Sequence, residues 1–168
     1  QFSAKGVWEN WAQRPSVSLN MKLDISNLGV FLTRMGFPRT MSDGTAKLEG
    51  KIGWLGNPQS IHYPTLDGDI SLKAADGQFL KAEPGIAKLL GILSMQTWIT
   101  LDFRGLFGEG FIFDRVASNA KITRGVLATK DFAMSGKTAT VTMAGTVNLA
   151  QETQDLKVRV VPSLGDGA

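Results

Sequence analysis

The chain has 168 residues, 43% of them hydrophobic and 20% charged, which excludes a disordered polypeptide and bounds the answer at one ordered domain with room for a real core. The formal charge is only +3, from lysines and arginines scattered without any basic cluster interleaved with aromatics, so nothing points to nucleic acid. There is no cysteine, which removes disulfides and thiolate metal sites while leaving the redox compartment open, and no apolar run approaches the roughly 18 residues of a membrane span.

Residue 1 is Gln and no signal-peptide pattern opens the chain, so the expectation is a piece cut from a longer protein. Residues 1–16 carry Phe2, Trp8 and Trp11 with little regular period. They read as an extended lead-in packing its aromatics on an edge, with a membrane-interface role for the tryptophans as the other reading. Residues 17–25 alternate cleanly: Val17, Leu19, Met21, Leu23 and Ile25 face one way and Ser18, Asn20, Lys22 and Asp24 the other, a strand with one apolar face. Ser26 or Asn27 can cap a short amphipathic helix over 28–35, whose stripe is Leu28, Phe31, Leu32 and Met35 and which Gly36 and Pro38 stop.

Strands are predicted at 44–54, with Ala46, Leu48, Gly50, Ile52 and Trp54 on the apolar side, and at 65–75, with Leu66, Gly68, Ile70, Leu72 and Ala74. Asp76-Gly77 is a strong hairpin signal leading into Gln78–Lys81. Pro84 suits the first turn of a second helix over 85–93, with Ile86, Leu89, Leu90 and Leu93 as its stripe. Some eleven residues at about 1.5 Å each give roughly 16 Å, half of what a bilayer core needs, so this helix does not span a membrane.

The stretch from Trp98 to Asp114 begins as a half-buried strand, with Ile99, Leu101 and Phe103 opposite Thr100, Asp102 and Arg104. It turns through Gly105-Leu106-Phe107-Gly108-Glu109-Gly110 and restarts with Phe111-Ile112-Phe113. Further strands are predicted at 112–123, 126–134, 138–149 and 156–161, separated by Gly125, Gly136 and a polar loop; Pro162 ends the set and 163–168 is a tail. The longest, 138–149, sets Ala139, Val141, Met143, Gly145, Val147 and Leu149 against a threonine-rich face.

The predicted fold is mostly β with two short helices: a long, strongly curved antiparallel sheet of about eight strands, an open half-barrel or groove, with the helices packed at its concave face or end. Twelve residues at about 3.3 Å make a strand of roughly 40 Å, too long for a compact sandwich. Gly50, Gly68 and Gly145 each lie mid-strand on the apolar side. A glycine inside a strand marks a bend or a close approach, and curling a sheet around its apolar face crowds that face. Two outcomes stay open: a concave apolar lining, or helices 28–35 and 85–93 filling the concavity as an ordinary core.

Catalytic chemistry is hard to find. His62 is the one histidine and sits in a loop beside Tyr63 and Pro64; Asp67 and Asp69 share a face but flank lysines on the solvent side. Asp102, Glu109 and Asp114 surround the glycine turn, where turn chemistry explains them as well as an acid–base cluster does. Gly105, Gly108 and Gly110 have the wrong spacing for a dinucleotide fingerprint, and no P-loop or GxSxG is present. No metal or cofactor is expected and the chain is read as a non-enzyme.

At DFRGLFGEGFIFD (102–114) the chain resembles the C-terminal region of the AsmA-like proteins of Gram-negative envelopes, most closely their YhdP branch. The resemblance extends to GDISLKAADGQFLKAEPGIAKLLGIL (68–93), ITRGVLATKDFAMSG (122–136) and MAGTVNLAQETQDLKVRVVP (143–162), together covering roughly 44–166. Ser118, Lys137 and Asn148 depart from the Gly, Pro and Asp the family pattern leads one to expect. The resemblance implies a bridge-like β-groove in the periplasm that carries phospholipid toward the outer membrane, in a parent protein anchored in the inner membrane.

On that reading the chain is a lipid-transfer module whose acyl-chain partners lie on Leu48, Ile52, Ile70, Leu72, Val141, Met143 and Val147, with the rest of the parent chain and an outer-membrane partner as protein contacts. Two other readings stand beside it. One is a structural or interaction end cap, plugged by helices carrying Phe31, Leu32, Leu89 and Leu90; the other is an enzyme acting on envelope glycans or lipids through two of Asp102, Glu109 and Asp114.

Overall fold

The computed structural model describes residues 1–11, 14–80 and 110–163. Eight strands form one antiparallel sheet in strict sequence order: β1 (Phe2–Trp11), β2 (Arg14–Ile25), β3 (Met41–Leu55), β4 (Asp67–Phe79), β5 (Phe111–Thr123), β6 (Val126–Gly136), β7 (Ala139–Asn148) and β8 (Thr153–Pro162). β1 and β8 are edges and do not pair with each other, so the sheet is not closed into a barrel. The expectation of long strands holds: β3 has 15 residues, about 50 Å at the usual rise.

Two expectations are corrected. The lead-in is a regular strand, paired with β2 from Phe2 opposite Leu23 to Trp11 opposite Arg14. Its Phe2 and Trp8, 65% and 55% exposed, lie on an edge with a neighbour on one side alone. The Asp76-Gly77 signal does not reverse the chain; β4 runs through it to Phe79. Asp76 takes the left-handed backbone (φ 54°) that a hairpin would also require, but the strands stay in register around it, Ala75 and Gly77 both pairing with β3, where Asp43 and Gly44 are left-handed too (φ 55° and 79°). The left-handed geometry is spent on a kink shared by adjacent strands. The first of the two expected helices is present as α1 (Leu28–Arg34), the one α-helix among the described residues. The segment 85–93, the strand at 98–104 and the glycine turn through 109 lie outside the described residues.

Helix α1 starts where the sequence says it should: the Asn27 side-chain oxygen accepts from the Val30 backbone N–H at 2.8 Å. At seven residues it is too short to stand alone, so packing holds it. Gly29 is its buried residue; an ideal Cβ there would lie 2.6 Å from the Met41 carbonyl oxygen, so the helix backbone rests directly on β3. Leu28 joins the core at this end of the sheet.

That core comprises Phe111, Phe113, Val116, Met134, Ala139 and Val141. Phe113 fills the space left by Gly77 on β4, and its ring stacks tilted on Phe79 at 5.6 Å. A second cluster, Val17, Trp54, Leu66 and Ile122, closes the other end, where the β3–β4 loop with its 3-10 turn (Tyr63–Thr65) folds under the sheet. There the two-residue Arg124-Gly125 hairpin, both residues at positive φ, is tied to that loop through Gly125 N–H to Leu66 O (2.8 Å) and Arg124 N–H to the Asp67 carboxylate (2.9 Å).

The mid-strand glycines are close approaches. A Cβ on Gly50 would lie 2.6 Å from the Asp69 carbonyl oxygen, and Cβ atoms on Gly68 and Gly145 would strike the carbonyl oxygens of Lys51 and Asp155. Gly145 also has φ 144°, which an L side chain rarely adopts. Gly145→Ala is therefore expected to lower stability by about 2–4 kcal/mol, read by urea denaturation; an effect below about 0.5 kcal/mol contradicts the contact.

Candidate functional site

Registry merges the separate apolar strand faces into one surface. Leu23 pairs with Leu48, Leu48 with Leu72, and Leu72 with Ser118. One row along, Met21, Gly50, Ile70, Ala120, Thr129, Gly145 and Leu156 are successive partners across seven strands. The next row runs through Leu19, Ile52, Gly68, Ile122, Leu127, Val147 and Gln154. Because directly opposite residues share a face, every one of these points the same way.

All seven residues singled out from the sequence fall on this face. Val141 is part of the core at the α1 end, while Ile52 and Ile70 pack against the cluster at the other end. Leu48, Leu72, Met143 and Val147 belong to neither cluster and are partly buried. The surface therefore has two packed ends and an apolar middle, and among the described residues no second sheet covers it.

Three polar side chains share this face and were not anticipated. Ser118 and Thr129 satisfy each other at 3.0 Å, and the Thr129 hydroxyl also donates to the Asn119 carbonyl at 2.9 Å. A bulge puts Thr129 there: three residues of β6, Thr129 to Phe132, span two of β7, Gly145 to Met143. Asn119 clamps the bulge, its backbone N–H and side-chain amide both donating to Asp131 (2.8 and 2.7 Å), which holds that carboxyl below the usual carboxylate range. The third is Gln154; the alternation Gln154, Leu156, Val158, Val160 was the signal that could have found it.

The opposite face is charged. Lys22 and Glu49 pair at 3.1 Å, and that carboxylate raises the Lys22 ammonium above its ordinary value. Asp69 stands between Lys51 and Lys121 in register, and Asp67 holds the Arg124 turn, so neither forms a carboxylate site. His62 is exposed, 2.9 Å from Thr65 Oγ1. Asp114 is exposed, while Asp102 and Glu109 lie outside the described residues. Among the described residues no cluster of three His, Cys, Asp or Glu could hold a metal, and no helix is long and apolar enough to cross a membrane.

Comparison with known proteins gives the surface a context. The family model described as "YhdP protein" matches residues 1–168. The intermembrane phospholipid transporter YhdP of Escherichia coli (strain K12) is 27% identical over 168 residues, which is 98% of this chain but 13% of that protein. No solved structure matches.

Proposed function

Because the chain belongs to the YhdP family along its whole length, we propose that it is a non-enzymatic lipid-transfer segment in the periplasm, part of a groove that moves phospholipid between the inner and outer membranes. The apolar face carries the proposal. A one-sided antiparallel sheet with eight strands needs something to cover its apolar side, and hydrocarbon is a suitable cover. Each CH₂ that leaves water for this surface gains about 0.8 kcal/mol, spread over many equivalent contacts. Contacts of that kind hold a chain without fixing it in one place, as movement along the surface requires.

In this reading Leu48, Ile52, Ile70, Leu72, Val141, Met143 and Val147 line the path, and the sheet curls around them. The close backbone approaches at Gly50, Gly68 and Gly145 support that curl, since side chains there would hold the strands apart. The parent protein is anchored in the inner membrane; the remainder of its chain and an outer-membrane partner continue the route. The phospholipid cargo is taken from the E. coli relative, whose name states it.

The test is direct. The 168-residue chain, purified without detergent, is expected to carry phospholipid in native mass spectrometry and to take up a fluorescent analogue from vesicles. A photo-crosslinking residue at position 48, 72 or 143 is expected to attach lipid, and one at 47, 73 or 142 on the charged face is not. A chain that is empty and refuses lipid, or equal crosslinking from both faces, makes this segment scaffold instead.

A further inference from the structure

Gln154 lies on the apolar face, opposite Val147 and two positions before Leu156. Its side-chain carbonyl oxygen is buried and has no hydrogen-bond partner, the one such buried side-chain atom among the described residues. Ser118 and Thr129, the other polar side chains on this face, satisfy each other. An acceptor shut away from water without a donor forfeits the hydrogen bonds it makes in the unfolded chain, and such groups are rare in folded proteins.

We propose that Gln154 reads the polar end of the lipid, its carbonyl oxygen accepting a hydrogen bond from a headgroup that carries an N–H or O–H donor. The inference rests on the lipid-transfer reading above and adds a headgroup preference to it. Position supports it: β8 is an edge strand, so a lipid whose tails cross the middle of the sheet brings its polar end to this rim, beside Gln154. A primary ammonium donating to a carbonyl oxygen makes a charge-assisted bond. A trimethylammonium carries the same charge and has no N–H, so a matched pair of lipids isolates the hydrogen bond from the charge.

The experiment uses phosphatidylethanolamine and phosphatidylcholine with identical acyl chains, competing for the 168-residue chain and counted by native mass spectrometry. The expected result is a roughly three- to tenfold preference for phosphatidylethanolamine, the size of one net hydrogen bond. Gln154→Met, of similar volume and without an acceptor, is expected to abolish the preference. Gln154→Glu, which keeps an acceptor, is expected to retain it. Equal binding of the two lipids by the unaltered chain overturns the headgroup role while leaving lipid transfer standing, and so does a preference that survives Gln154→Met. Binding of neither lipid overturns the lipid-transfer reading, and this inference with it.

Discussion

Phe113→Ala is expected to lower stability by about 3–5 kcal/mol, the range for removing a fully buried aromatic ring. Phe113 is 1% exposed and sits among Phe111, Val116, Met134, Ala139 and Val141. Its ring occupies the space over Gly77, which has no side chain to move into the void, and it loses its tilted contact with Phe79. The neighbours are strand residues fixed by ladder hydrogen bonds on both sides, so the cavity collapses poorly. Urea denaturation followed by circular dichroism reads the loss, and thermal melting should fall by roughly 6–20 °C. A loss below about 1 kcal/mol means that this end of the sheet is not a packed core.

The second large effect falls on function. The double substitution Leu48→Asp with Leu72→Asp is expected to cut lipid uptake about tenfold or more. The two leucines are direct cross-strand partners in the apolar middle, outside both packed clusters. Two carboxylates there face each other, repel, and must be stripped of water before a hydrocarbon chain can lie over them. Because neither side chain belongs to a cluster, the far-ultraviolet spectrum should be retained. Lys73→Asp, one residue along β4 on the charged face, is the control and should leave uptake unchanged. A folded double variant with full uptake removes hydrocarbon from this part of the face.

The period-two pattern made β2, β3, β4 and β7 legible within a few residues, and with them the apolar side of each. What the pattern does not contain is registry. That Leu48 meets Leu72, or that Ile70 and Gly145 share a row, comes from pairing between strands and turns of defined length. The edge strand β1 was illegible because the positions it sets on the apolar face, Phe2, Ala4, Gly6 and Trp8, carry two small residues between two large ones and blur the signal. The Asp76-Gly77 dipeptide misled because its backbone preference is local, whereas reversing the chain or kinking a strand is decided by neighbouring strands. The bulge at Thr129–Phe132 hid a polar position by changing the parity of β6 midway.

Strand order in this sheet repeats sequence order, and that distributes the entropy of assembly unevenly. Thr123 and Val126 come together across two residues, whereas Phe79 and Phe111, also direct partners, are far apart in the chain. Most pairings in this sheet are therefore between strands close in the chain, and the β4–β5 pairing is the most non-local of them, the one expected to form latest.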